Sequence, residues 1–195
     1  MFIELTDHLR CPADHVEAHL VLLPHRVEAR AVIEGQLGCP VCGRTFPIVE
    51  GVAELGGRPV RRAGEPLPAD TAHVLLGLGG PGGYAVLAGS AAVPWRELAE
   101  LNPGVALVAV NPPIGVADAA PVLSVLRAPM LPLRARSMRG VVLGAELAGD
   151  ERWVREAARV TLPGLRVVAR GPDPAVSELE LLASAGGCWV AARRA

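Results

Sequence analysis

Cys39-Pro40-Val41-Cys42-Gly43, running on into Arg44-Thr45-Phe46-Pro47-Ile48-Val49-Glu50-Gly51-Val52-Ala53-Glu54-Leu55, is the stretch from which the fold can be read. Two thiolates three residues apart can face one metal ion, and Gly43 permits the tight turn behind them. A lone C-x-x-C also suits a redox pair. Here no helical pattern follows it, and Cys11-Pro12 opens a similar turn 28 residues earlier. Two knuckles separated by a hairpin make a zinc ribbon. The hairpin is expected from two apolar runs, 20–23 and 27–33, turning near Pro24-His25. The first knuckle holds one cysteine, so the fourth ligand comes from Asp14 or His15. Asp14 has the spacing of a regular knuckle, whereas His15 is the better zinc ligand by chemistry. His19 and His25 are expected on the hairpin surface. A closed set of four ligands would stabilise the fold and would not activate water. The metal-free alternative is that the three cysteines are buried thiols.

The same stretch resembles the C-terminal half of the small zinc-ribbon proteins that activate tRNA and rRNA methyltransferases. Phe46, Pro47, Ile48, Glu50 and Gly51 fill that family's pattern after the knuckle, and the opening LTDHLRCPADH resembles its leading helix and first knuckle. The likeness covers residues 1–55 and departs where the first knuckle lacks its second cysteine. It implies a contact with a protein partner, through a methyltransferase, through the chain's own second part, or through a second copy.

Half of the 195 residues are apolar, and aromatics are few, so the core must come from Leu, Val and Ala. The nineteen basic residues are all arginine. Absence of lysine removes Schiff-base chemistry and a Walker-type phosphate lysine. The net charge of −1 gives no drive for non-specific nucleic-acid binding, although a local basic patch is compatible with it. The acidic opening has no apolar core of a signal peptide, and the charge-poor stretch 72–93 is too rich in glycine for a membrane helix. A cytoplasmic protein without disulfides or a membrane contact is the expectation.

Residues 56–70 are polar and rich in Gly and Pro, and read as a linker. Beyond it, residues 71–195 alternate between strand and helix patterns. Strands are expected at 73–78, 105–110, 140–143, 165–169 and 188–192, and 84–88 could be another. Helices are expected at 94–101 and from the cap Asp150 to about Val160, with Trp153, Val154, Ala157 and Ala158 on one face. The fold class is therefore α/β, a zinc ribbon followed by an abridged Rossmann-like sheet.

This second part resembles the class I S-adenosylmethionine-dependent methyltransferases. Residues 158–168 resemble that family's arginine-Val-Leu-x-Pro-Gly-Gly strand entry, and Leu131-Pro132-Leu133 through Val142 resembles another. Residues 181–186 resemble the helix end before its last strand. Gly80, Gly82 and Gly83 resemble its cofactor loop. The likeness implies S-adenosylmethionine as cofactor, held by those glycines with Asn111 at the ribose. Four acidic anchors that it also implies are missing, their places falling at Leu76, Asn111, Arg127 with Ala128, and Arg139. The leading expectation is a non-catalytic protein that works by binding a partner. The alternative is an active, divergent methyltransferase acting on RNA, protein or a small molecule. Arg134, Arg136 and Arg139 are a candidate anion or RNA site at the mouth of the sheet, with Arg58, Arg61 and Arg62 adding charge. Asp118, His73 and Cys188 are isolated and are expected to be structural.

Overall fold

Pro24 lies within a strand and not at a turn, which places that strand at an edge where a missing N–H costs no ladder bond. In the computed structural model, which describes residues 1–61 and 64–195, this strand is β1 (Val21–Glu28). The turn expected at Pro24-His25 falls instead at Ala29 and Arg30, both left-handed (φ 45° and 68°), and β2 (Ala31–Gly38) returns from it. β3 (Thr45–Val49) and β4 (Val52–Glu54) complete the ribbon, antiparallel throughout.

After residue 55 the chain forms α1 (Ala69–Leu76), β5 (Tyr84–Ala88), α2 (Trp95–Leu101), β6 (Ala106–Val110) and β7 (Leu123–Arg127). It continues with β8 (Met138–Leu143), α3 (Ala145–Ala148), α4 (Glu151–Val160), β9 (Thr161–Arg170), β10 (Leu179–Ala185) and β11 (Cys188–Arg193). Two expectations are corrected here. Of the run 73–78, residues 73–76 belong to helix α1, because Ala72 and Leu76 bury one helical face and Gly77 ends it in the left-handed conformation (φ 61°). A short apolar run does not tell helix from buried strand by period. Residues 181–186 lie in strand β10 and its turn, not at a helix end.

Among the described residues, eleven strands join one sheet in the order β1-β2-β3-β4-β7-β6-β5-β8-β9-β11-β10. Counted from β5, the parallel strands β7-β6-β5-β8-β9 lie in the order 3-2-1-4-5 of doubly wound folds. The ribbon is joined to them at β4, which pairs in parallel with β7 through Ala53–Leu126 and Glu54–Arg127. An ion pair between Glu54 and Arg127 (2.6 Å) closes that joint.

The abridgement is in the helices. Among the described residues, no helix lies between β6 and β7 or between β7 and β8. On that face the N-terminal segment takes the helix's place. A 3-10 turn (Ile3–His8) puts Leu5, and Leu9 after it, fully buried beside Val108, Val110, Leu126 and Leu133. Phe2 N donates to Ser124 Oγ (2.9 Å), and Arg10 N to the Pro132 carbonyl (3.0 Å). Helix α4 covers the rest of this face, and α1 and α2 pack on the other. Each fully buried leucine contributes about 1.5–3 kcal/mol, so the ribbon and the parallel sheet share a core. Among the described residues, no helix is long and apolar enough to cross a membrane.

Candidate functional site

The metal-binding reading is testable from the donor atoms. Cys11, His15, Cys39 and Cys42 present one ligand atom each, all within 4.8 Å of one another. Cys11 Sγ lies 3.8 Å from Cys42 Sγ, and Cys39 Sγ lies 3.4 Å from His15 Nε2. Tetrahedral zinc with ordinary bond lengths requires about 3.8 Å between two sulfurs and about 3.6 Å between sulfur and nitrogen. His15 Nδ1 donates to the Val16 carbonyl (2.6 Å), which fixes the tautomer that leaves Nε2 free to coordinate. Asp14 is exposed and outside this set, and His15 is its fourth donor. Burial pushes the Cys11 thiol up to about 11. At Cys39 burial acts upward too, but the N–H groups of Cys42 and Val41 outweigh it and bring the thiol down to about 6. A divalent cation would hold both as thiolates. The four cysteines are free, and Cys188 stands apart, half-buried at the start of β11.

The loop containing Gly80, Gly82 and Gly83 does not occupy the place that its resemblance implied. It precedes β5 and so lies at the amino ends of the parallel strands, whereas doubly wound folds bind ligands at the carboxyl ends. Arg134, Arg136 and Arg139 precede or open β8, and therefore share that amino-terminal edge instead of the mouth. Arg139 donates to the carbonyls of Gly79 (2.6 Å), Gly80 (2.9 Å) and Gly82 (2.6 Å), so its guanidinium is spent on the loop. Arg134 and Arg136 are exposed and form no ion pair among the described residues. Arg62 lies outside the described residues.

At the carboxyl edge, β5 ends at the fully buried Ala88, which stands where Leu76 was expected to mark the first strand's end. β6 is followed by Asn111, left-handed at φ 52° and 7 % exposed. Both ends of its amide are engaged. Nδ2 donates to the Ala128 carbonyl (2.6 Å) and Oδ1 accepts from Ala128 N (2.9 Å). Asn111 thus ties the end of β6 to the end of β7. Asp118 accepts from Val125 N (3.2 Å) and Ala120 N (3.4 Å), and His73 Nδ1 bonds Asn102 Oδ1 (3.0 Å), so both serve the fold.

The sequence did not point to one feature of this edge. Glu146, at the start of α3, turns back into the gap between β5 and β8. Its Oε1 accepts from Ser90 N (2.6 Å) and its Oε2 from Ser90 Oγ (2.6 Å) and Gly64 N (3.3 Å). The available signal was glycine placement. A Cβ on Gly89 would stand 2.1 Å from Glu146 Oε1, and one on Gly144 would stand 2.6 Å from it.

Residues 3–51 match the family model of the Trm112p-like proteins. A search of curated proteins finds no match to the chain. Similar solved structures include a methyltransferase described as belonging to an antibiotic biosynthesis pathway of Anabaena variabilis, 21% identical, with 52% of this chain and 43% of that one covered at a TM-score of 0.43. A geranyl diphosphate methyltransferase solved with GPP and sinefungin is 16% identical, with 52% of this chain and 43% of that one covered at a TM-score of 0.41. The antibiotic-resistance methyltransferase Kmr is 12% identical, with 70% of this chain and 98% of that one covered at a TM-score of 0.46. The match spans less than half the length of the first two structures. Residues 3–51 are thus similar to the Trm112p-like proteins, and they are joined to a doubly wound sheet.

Proposed function

We propose that the protein is a zinc-stabilised, non-catalytic methyltransferase-like protein that acts by binding a partner. The observation that carries this reading is at the ends of β5 and β6. Ala88 offers no polar side chain there, and the buried amide of Asn111 is held at both ends by the Ala128 backbone. A ribose requires acceptors that are free to take its hydroxyl protons, and a carboxylate meets that need best. Glycines alone allow backbone approach without supplying such acceptors.

The ribbon's β4 edge is already used by β7, so a partner would meet another surface. Val21 (60 % exposed) and Leu23 (61 % exposed) sit with Pro40, Gln36 and Thr45 around a shallow depression of about 400 Å³ on the ribbon's outer face. Exposed apolar side chains gathered beside a rigid metal-bound turn suit a protein contact. Sedimentation of wild type and a Leu23→Glu variant over a range of concentrations separates self-association from contact with a different protein.

The catalytic question is decided by calorimetric titration of the zinc-loaded protein with S-adenosylmethionine and S-adenosylhomocysteine. The expected result is no heat of binding at micromolar to millimolar ligand. Saturable micromolar binding by either compound would overturn the non-catalytic reading and restore the divergent methyltransferase.

A further inference from the structure

Described residues of the chain's own linker lie at the carboxyl ends of the parallel strands. Leu55 N and Gly57 N both donate to the Arg127 carbonyl at the end of β7 (2.7 and 3.2 Å). Val60 N donates to the Asn111 carbonyl after β6 (3.3 Å). Gly64 N donates to Glu146 Oε2 after β8 (3.3 Å), and Glu65 pairs with Arg170 at the end of β9 (2.6 Å). Leu55, Gly57 and Val60, then Gly64 and Glu65, therefore touch the ends of β7, β6, β8 and β9, on the edge where this class of sheet takes its ligands. The approach is close. A Cβ on Gly57 would lie 2.1 Å from Ala128 N, and one on Gly64 would lie 3.0 Å from the Ala145 Cβ.

Glu146 is the fixed point of this arrangement. The strand order reverses between β5 and β8, which makes the gap between them the switch point. There the Glu146 carboxylate meets three donors, the N–H and hydroxyl of the fully buried Ser90 and the N–H of Gly64. Gly89 and Gly144 leave room for it on either side, and a side chain at either position would collide with it.

We propose that Glu146 is a built-in ligand of the switch-point crevice, and that its carboxylate latches the linker across the mouth in place of an external carboxylate-bearing molecule. The latch deepens the non-catalytic reading and rests on it. The site is closed by an internal group as well as stripped of its acids. Ser90 supplies two of the three donors and belongs to the sheet. Gly64 supplies the third and belongs to the linker, so the carboxylate is the bridge between the two. Its removal should free the linker at that point and leave a cradle sized for one carboxylate.

The test is hydrogen exchange on the full, zinc-loaded chain, comparing wild type with Glu146→Ala in chloride and in acetate at equal ionic strength. Peptides covering Val60, Gly64 and Glu65 are expected to exchange about tenfold faster or more in the variant, as a released local segment does. Acetate, entering the vacated cradle, should slow them again, and should leave wild type unchanged. Equal exchange in the two proteins overturns the latch. Faster exchange that acetate does not reverse overturns the built-in ligand. If Glu146→Ala does not fold, Glu146→Gln keeps the side chain's shape while turning an N–H₂ toward the Ser90 donors, and should loosen the same peptides. Binding of S-adenosylhomocysteine by wild type, with the linker still protected, would refute the non-catalytic reading and leave the latch standing.

Discussion

Replacing Asn111 by alanine separates a structural role for this residue from a cofactor role, because the two predict losses in different quantities. In the structure the side chain makes two hydrogen bonds to Ala128, at 2.6 and 2.9 Å, and both partners are buried. Each bond contributes about 1 kcal/mol net, and a buried backbone group left without a partner costs about 1–3 kcal/mol. Asn111 also sits at φ 52°, where alanine is less tolerated than asparagine by about 1 kcal/mol. Partial rehydration of the Ala128 groups lowers the sum, and about 3–5 kcal/mol is expected for Asn111→Ala. Asn111→Gly relieves the backbone component and should cost about 1 kcal/mol less. Asn111→Asp keeps the acceptor for Ala128 N but sets a carboxylate oxygen against the Ala128 carbonyl, and so should fall near alanine.

Urea unfolding followed by circular dichroism at fixed free zinc measures this. With a slope of about 2–3 kcal/mol per molar urea, the midpoint for Asn111→Ala should drop by about 1–2 M. The ranking alanine, then glycine, then wild type is as informative as the size. A midpoint within about 0.2 M of wild type would refute the reasoning, since it would mean that the amide is not needed to join β6 to β7. A residue kept for a ribose hydroxyl would show the reverse pattern, with stability unchanged and nucleoside affinity lost.

Purified protein should hold zinc in equimolar amount, measured by metal analysis; Cys39→Ser and His15→Ala should lose it, whereas Asp14→Ala and Cys188→Ser should keep it. Chelation should lower the unfolding temperature of the whole chain in one transition, because the knuckles rest on a core shared with the parallel sheet; a separate early transition confined to the ribbon would contradict this. Leu9→Ala should cost about 2–5 kcal/mol, as a fully buried leucine does, and shift that same single transition in calorimetry. Arg139→Ala should cost about 1 kcal/mol, or about 2–4 °C in a domain of this size, through loss of its carbonyl contacts with the 79–83 loop. Phosphate should protect neither protein in the thermal assay, and preferential protection of wild type would revive the anion site.

The candidate metal cluster was legible because zinc chemistry demands few residue types at short spacings. Cys11, Cys39 and Cys42 follow from the sequence, and only the choice between Asp14 and His15 required coordinates. Strands 106–110, 138–143 and 188–193 and helix 151–160 were legible from apolar runs and from the cap at Asp150, whose side chain accepts from Arg152 N. Residues 73–76 were misread because eight residues with no strong period suit either a buried strand or a helix. That error moved the first parallel strand upstream and carried the glycine loop with it to the wrong edge. The arginines followed by the same route, since their position at the mouth depended on where the strands were taken to end. Glu146 was hidden for a different reason. It meets Ser90 across 56 residues and Gly64 across 82 residues of chain, and no local pattern reports such a meeting.

The pairing of β4 with β7 bears on why the ribbon and the sheet are one chain. β7 would otherwise be an edge strand, with a row of unpaired N–H and C=O groups that invite association. The ribbon covers it, and the N-terminal segment fills the layer left by the missing crossover helices. The linker that follows β4 must then start at the carboxyl end of β7, because β4 runs parallel to it and ends beside Arg127. From that starting point Val60, Gly64 and Glu65 meet the carboxyl ends of the neighbouring strands. The proposed latch thus follows from how the ribbon is attached: a sheet that takes its edge partner from its own N-terminus in parallel starts the connecting segment on its own ligand face.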